Sequence, residues 1–275
     1  MREPATMLLR NRISAMMLAL MLCAGPAGAE VLRAGGTGGA TALLVHLGRP
    51  FTAQSGIAVD VVPSLGSGGS IAAAADGMID LVVSARPLTA AERARGLDAV
   101  ATLRTPFVLA TSHPAPSGLA AGAVAGMFVA VKPAWPDGAV LRPILRPRTE
   151  TDTLVLAALF PGMAAALEQA RQRPDLPVAA TDQDNADLAE HLEGSLTGIT
   201  LAQLVLEGRA LRLVPLDGVT PSLAGFEAGD WRYGRDFILI ARRPAAPAVG
   251  RFLQFLHSEA GRAALRAGAC LDGGA

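Results

Sequence analysis

The stretch Val31-Leu-Arg-Ala-Gly-Gly-Thr-Gly-Gly-Ala-Thr41 reads as a short strand, a glycine-rich turn and the opening of a helix, and Ile57-Ala-Val-Asp-Val-Val-Pro-Ser-Leu-Gly-Ser-Gly-Gly-Ser70 repeats that plan. Between them, Leu43, Leu44, Leu47 and Phe51 fall at helical spacing, which predicts a helix from about 40 to 55, followed by the turn residue Gly56. The β-branched run 57–62 predicts a second strand, residues 71–77 a second helix, and Ile79-Asp-Leu-Val-Val-Ser84 a third, buried strand. A strand feeding a Gly/Ser loop that opens a helix, twice in succession, is the βαβ grammar of an α/β sheet, in which ligands sit beyond the carboxyl ends of the strands. Both loops are therefore expected to face one crevice.

Working outward, the pattern changes at Pro106. Short apolar stretches (107–111, 127–131 and 141–145) are broken by Pro, Gly and Ser, and helices are predicted over 152–159 and 163–173. This portion is assigned to a second α/β lobe. Phe237-Ile-Leu-Ile-Ala241 predicts a strand, and 247–267 one amphipathic helix with Val249, Phe252, Leu253, Phe255, Leu256 and Leu265 as its apolar residues. The expected fold is α/β with two lobes, each a mostly parallel sheet flanked by helices, and a ligand crevice between them. Residues 30–108 and 215–275 are assigned to the first lobe and 109–214 to the second.

Residues 1–29 have their own logic. Arg2, Arg10 and Arg12 precede the apolar run from Ile13 to Gly25, and Ala27-Gly28-Ala29 follows as an A-x-A site, the three parts of a cleaved signal peptide. The apolar run is shorter than the roughly 20 residues that a spanning helix needs. Cys23 raises a lipoprotein variant, although Leu22 stands where a lipobox has a small residue. The expected location is the periplasm.

Composition narrows the partners. The 275 residues carry 24 Lys+Arg against 24 Asp+Glu. The leader holds three of those bases and one of the acids, so the remainder has 21 bases and 23 acids, a net charge of −2. Such a chain has no global field for nucleic acid or anionic lipid. Removal of the leader leaves Cys270 as the sole cysteine, which excludes an internal disulfide and a cysteine-based zinc site.

A helix N-terminus presents unsatisfied N–H groups and a partial positive charge, so a Gly/Ser/Thr loop that opens a helix can cradle an oxyanion. Three such places occur, at Gly38-Gly-Ala-Thr41, Gly66-Ser-Gly-Gly-Ser70 and Thr149-Glu-Thr-Asp-Thr153. Any one alone reads equally as an ordinary capped turn; three at comparable topological positions point to a site. Nucleotide binding lacks its motifs, since there is no G-x-x-x-x-G-K-[ST] and Thr41 replaces the third glycine of a dinucleotide fingerprint. His46, His113, His191 and His257 are scattered, and no serine sits in a G-x-S-x-G elbow. Neither a metal nor a cofactor is expected.

In that order, these residues resemble the periplasmic phosphate-binding (PstS-like) family of ABC-importer solute-binding proteins, within the type II periplasmic-binding-protein superfamily. Gly36-Thr-Gly-Gly-Ala-Thr41 is similar to the family's first loop, Pro63-Ser-Leu-Gly-Ser-Gly-Gly-Ser70 to its second, and Gly77-Met-Ile-Asp-Leu-Val-Val-Ser-Ala-Arg-Pro-Leu88 to its third motif. Looser echoes lie at Trp135-Pro-Asp-Gly138, Leu145-Arg-Pro147 running into Thr151-Asp-Thr153, Gly194-Ser-Leu-Thr-Gly198, Asp217-Gly218 and 252–258.

The resemblance implies a non-enzymatic, monomeric receptor that closes around a small oxyanion and delivers it to a membrane permease. It implies ligand contacts from Gly39, Ala40 and Thr41; from Ser67, Gly68, Gly69 and Ser70; from Ser84 and Arg86; and from Thr151, Asp152 and Thr153. Arg146 and Arg148 compete for one bidentate contact, and spacing does not choose between them. The chain departs from the family where an aspartate follows the serine of the third motif: it has Ala85. Asp152 also puts a carboxylate beside the expected anion, unless it serves as a helix N-cap. Without an acceptor for the proton of hydrogen phosphate, weak discrimination between phosphate and sulfate is expected. Two other functions fit parts of the pattern: a signalling or assembly factor that keeps the fold but has lost tight phosphate binding, and an extracytoplasmic phosphatase on the same scaffold.

Overall fold

The computed structural model describes residues 30–63 and 65–274. The signal-peptide expectation and Cys23 lie outside the described residues. Strand β1 (Val31–Gly36) sits between β2 (Ala58–Val62) and β3 (Leu81–Ser84) and is parallel to both. Helix α1 (Gly38–Ser55) links β1 to β2 and buries Leu43, Leu44, Leu47 and Phe51, the stripe that its sequence spacing predicts. It ends where Gly56 turns left-handed at φ 74° and donates its N–H to the Thr52 carbonyl at 2.9 Å. Helix α2 (Gly66–Ala75) starts inside the second glycine loop, ahead of the expected residue 71. The strands approach so closely that a Cβ on Gly36 would lie 2.3 Å from the Val83 carbonyl oxygen, so only glycine fits there.

Among the described residues the sheet runs β2, β1, β3, β8 (Gly234–Arg242), β4 (Leu97–Thr111), β6 (Ser195–Thr200), β5 (Arg142–Pro143), with β7 (Arg212–Leu213) and β9 (Leu271–Asp272) also paired to β4. Strand β4 (Leu97–Thr111) is the long connector. Its residues 97–106 lie antiparallel to β8 (Gly234–Arg242), which also borders β3, whereas Phe107–Ala110 lie antiparallel to β6 (Ser195–Thr200). Pro106 stands at that change of partner; having no N–H, proline belongs where a ladder is interrupted. Parallel pairing thus carries the βα units, and antiparallel β4 and β8 join the two halves.

Each half has its own core. The first gathers Leu32, Leu43, Leu47, Phe51, Phe237, Leu239, Phe252 and Leu256. The second gathers Phe107, Phe128, Trp135, Leu145, Leu156, Phe160, Met163 and Trp231. Within the second, the chain entering along β4 is tied to the chain leaving toward β8: Phe107 N–H donates to the Tyr233 carbonyl at 3.1 Å, and the Trp231 indole N–H donates to the Phe107 carbonyl at 3.0 Å. This is the α/β, two-lobed architecture expected from the sequence.

Local expectations differ in three places. Helix α3 (Ala90–Ala94) precedes β4, and the apolar stretch beginning at Met127 lies in helix α4 (Val124–Val129). Strand β5 is reduced to Arg142–Pro143, paired parallel to β6. Helices α5 (Thr151–Leu159) and α6 (Met163–Ala170) follow close to expectation, then α7 (Asp182–His191), α8 (Leu201–Leu206), strand β7 (Arg212–Leu213) and α9 (Leu223–Ala228). The single C-terminal helix is instead two, α10 (Pro247–His257) and α11 (Glu259–Ala267), leading to β9 (Leu271–Asp272). Ser258 is extended and its hydroxyl accepts from the Gly261 N–H at 3.1 Å, a cap that restarts the helix in a new direction.

Candidate functional site

The carboxyl ends of β1 and β2 and the start of α5 open on one cleft of about 710 Å³, whose lining includes Thr37, Ser67, Arg86, Glu150, Thr151 and Asp182. Thr37 joins β1 to α1, and its N–H is held by the Val83 carbonyl at 2.9 Å. That fixes the first turn of α1 so that the Gly39 N–H and the Thr37 hydroxyl converge on one point. The Asp182 carboxylate occupies that point. Its Oδ2 accepts from Gly39 N at 2.6 Å and from Thr37 Oγ1 at 3.2 Å, and its Oδ1 accepts from Arg146 Nη1 at 3.0 Å. A backbone amide, a hydroxyl and a guanidinium around two oxygens are the contact set of a bound oxyanion.

Arg146 lies in the loop after β5 and is 4 % exposed. Besides Asp182 it reaches Glu150 Oε2 at 3.3 Å and Asp152 Oδ2 at 3.5 Å, while its Nε has no partner. Asp152, in the first turn of α5, pairs in turn with Arg235 of β8, which is also 4 % exposed. Asp152, Asp182, Arg146 and Arg235 thus form a buried cluster with half-exposed Glu150 at its rim, and the five groups together carry a formal charge of −1. Burial pushes Asp152 up to about 6, although Arg235 and Arg146 oppose it. For Asp182 burial acts in the same sense, but Arg235, Arg146 and the Gly39 N–H outweigh it and hold the group below the ordinary aspartate value.

The other residues singled out from the sequence separate into three groups. Ser67 and Gly68 line the cleft; the Ser67 hydroxyl accepts the Ala85 N–H at 3.0 Å, which ties the second loop to the third motif. Gly69 and Ser70 belong to α2; Ser70 is fully buried and its hydroxyl has no partner. Ala40 is buried in α1, with Thr41 next to it along the helix. Ser84 uses its hydroxyl on its own turn, donating to the Arg86 carbonyl at 2.7 Å. Arg86 borders the cleft while clasping Glu92 through two bonds of 2.9 and 2.7 Å, which hold Glu92 down at about 2.

Thr151 lines the cleft, whereas the Thr153 hydroxyl donates to the Pro147 carbonyl at 2.9 Å. Asp152 is not the N-cap of α5; Glu150 is, and the Asp152 carboxylate turns to the arginines. The two arginines around Pro147 are also told apart. Arg146 is in the buried cluster, and Arg148 faces solvent in a pair with Glu168, Nε to Oε1 at 3.0 Å.

Asp182, Arg235 and Thr37 are the functional candidates that sequence reasoning missed. Thr181-Asp-Gln-Asp184 did carry a signal: it has the form of a capping box, and in the structure the Thr181 hydroxyl and the Asp184 carboxylate cap α7 reciprocally. That pattern announces a helix start and therefore a loop able to reach a cleft. Arg235 carried none, because a single arginine in a strand is read only once its partner is known.

The family model described as a PBP superfamily domain matches residues 24–260. No curated protein matches the chain. Among solved structures, a protein from Clostridium perfringens assigned as a phosphate ABC transporter substrate-binding protein, with bound phosphate, is similar at 15% identity and a TM-score of 0.72, covering 88% of this chain and 99% of that one. An ABC-type phosphate transport receptor from Vibrio cholerae gives 14% identity and a TM-score of 0.59 over 88% and 99% of the two chains. A protein from Bacillus subtilis assigned as a methionine-binding lipoprotein gives 14% and 0.53 over 90% and 100%. The last shows that this fold serves more than one ligand chemistry, so the ligand has to be argued from the site.

Proposed function

The chain belongs to the PBP superfamily domain family, and on that premise we infer that it is an extracytoplasmic solute-binding receptor that captures a small oxyanion, phosphate or a similar anion, for the membrane permease of an ABC importer. The observation that carries this is the cradle formed by Gly39 N–H, Thr37 Oγ1 and Arg146 Nη1, which already holds an oxyanion group, the carboxylate of Asp182. The similar proteins from C. perfringens and V. cholerae, named for phosphate, support the same class of ligand.

The site reads as a receptor rather than a catalyst. Its serines are engaged in shaping loops, Ser67 holding the Ala85 N–H and Ser84 closing its own turn. Lobe closure over the cleft is the motion such a scaffold offers. Among the described residues no helix is long and apolar enough to cross a membrane; the extracytoplasmic location and the monomeric state belong to this proposal.

Calorimetric titration of the purified protein with phosphate and with sulfate at pH 8 tests it. The expected result is saturable one-to-one binding of both anions with constants within about 100-fold of each other, because residue 85 is alanine where the family resemblance implies an aspartate that accepts the proton of hydrogen phosphate. Folded protein that gives no heat with either anion would overturn the assignment.

A further inference from the structure

The anion cradle of this chain already has an occupant, and the occupant is covalently part of the protein. The Asp182 carboxylate takes a backbone amide at 2.6 Å, a hydroxyl at 3.2 Å and a guanidinium nitrogen at 3.0 Å, so both of its oxygens are engaged. Its neighbour Gln183 adds a bond from Nε2 to the Gly38 carbonyl at 3.0 Å, and this seats the first turn of α7 on the first turn of α1. There is no slack in that contact: a Cβ on Gly38 would lie 2.7 Å from Gln183 Oε1 and 2.9 Å from Asp182 Oδ2.

Behind Asp182, Arg146 and, one step further through Asp152, Arg235 are each 4 % exposed and keep a buried Nε without a partner. The carboxylates around them, with half-exposed Glu150 at the rim, number three to two guanidinia, so with Asp182 in place the cluster offers an incoming anion no net positive charge. An incoming oxyanion therefore gains the donors of the cradle only by replacing Asp182.

We propose that Asp182 sets the affinity of the cleft: it is a tethered carboxylate that competes for the donors of the oxyanion cradle and that phosphate or sulfate must displace in order to bind. This rests on the oxyanion assignment above and adds to it a threshold. A competitor attached to the same molecule is present at every solute concentration, so it lowers the apparent affinity by the fraction of time that it occupies the site. Displacement also releases the α7–α1 contact, which couples entry of the solute to movement of one half of the cleft against the other.

The test compares wild type, Asp182→Ala and Asp182→Asn in titrations with phosphate and sulfate, each protein first shown to be folded. The alanine variant removes the competitor, and the asparagine variant keeps its volume without its charge. The expected result is at least tenfold tighter binding of one or both anions by a variant than by wild type. If wild type binds an anion and neither variant binds it more tightly, Asp182 is a structural residue and the proposal fails while the oxyanion assignment stands. If wild type and variants alike bind neither anion, the oxyanion assignment itself fails and this proposal with it. A readout on wild type alone covers variants that do not fold. The ¹³C resonance of the Asp182 carboxylate should move as sulfate saturates the protein, and a resonance unchanged at saturation would overturn displacement.

Discussion

At the scale of single residues, Arg146 is where stability and binding meet. Its guanidinium is the shared partner of Asp182, Glu150 and, at longer range, Asp152. Removing one member of a buried ionic cluster leaves the others desolvated and uncompensated, which costs about 3–5 kcal/mol. Arg146→Met should lose stability on that scale in urea unfolding and should also lose anion binding, whereas Arg148→Met, which breaks only an exposed pair with Glu168, should leave both close to wild type. Equal effects from the two substitutions would contradict the placement of Arg146 in the site.

Asp152 gives the same cluster a pH dependence. Burial raises its folded value to about 6, above the ordinary aspartate value of 3.8. The folded state therefore holds a proton that the unfolded state has released, and the stability that this brings is present below 3.8 and is lost as pH rises through about 6. Wild type should thus lose stability from pH 4 to 6 by a component that is absent in Asp152→Asn. Asp182, with its value depressed, contributes in the opposite sense, giving stability above the ordinary value that is lost as pH falls. Binding should follow the charge. Asp152 faces Arg235, Asp182, Arg146 and Glu150, and its protonation brings the cluster from −1 to neutral. Sulfate, fully ionised throughout, should bind several-fold more tightly at pH 5 than at pH 8; an affinity independent of pH would show that Asp152 does not face the anion.

Cys270 is a quieter case. It is fully buried, and burial pushes its thiol up to about 12. A thiol-specific reagent at pH 8 should label it only at the rate of unfolding, and rapid stoichiometric labelling of the native protein would contradict its place in the core.

At the scale of elements, the first half of the chain was legible and the second half much less so. The repeated strand, glycine loop and helix of residues 31–84 fixed three parallel strands and two helices, because β-branched runs and helical spacing are local signals that no distant contact had to complete. Strand β6, Ser-Leu-Thr-Gly-Ile-Thr from 195 to 200, was not foreseen as a strand. All six of its residues are buried on both faces, so it shows no alternation, and its threonines and serine hide its apolar character. The break in the C-terminal helix was also hidden, since Ser258 and Gly261 lie between apolar residues, Leu256 and Leu265, that one helix could equally carry. A Cβ on Gly261 would lie 1.9 Å from the Phe255 carbonyl oxygen, so the corner exists only with glycine. Gly261→Ala should lower the melting temperature measurably, as a core strain of about 1–3 kcal/mol does, and a neutral outcome would mean that α11 can shift away from α10.

The candidate site shows the same division. Loops that open helices could be read, and they supplied Gly39, Ser67, Gly68 and Thr151, which border the cleft or its cradle. What could not be read was the partner of each charge. Asp182 lies 36 residues from Arg146, and Arg235 lies 83 residues from Asp152, separations that only the folded chain closes.

At the scale of the whole molecule, β4 and β8 carry the chain between two independent cores, and the cleft lies where loops of the first core meet α5 and α7 of the second. The polar contacts across it are few and specific: Asp182 and Gln183 on the start of α1, and Arg235 of β8 on Asp152 of α5. These contacts between the halves are largely charged, and an anion in the cradle would change their balance. The most direct measurement is the amide resonance of Gly39 followed while phosphate or sulfate is titrated into the wild-type protein. A saturable one-to-one shift of Gly39, shared by Thr37 and absent in Arg146→Met, is the predicted result. Saturable binding that leaves the Gly39 amide unmoved, or no binding at all by folded protein, would contradict the claim that this cradle is the oxyanion site.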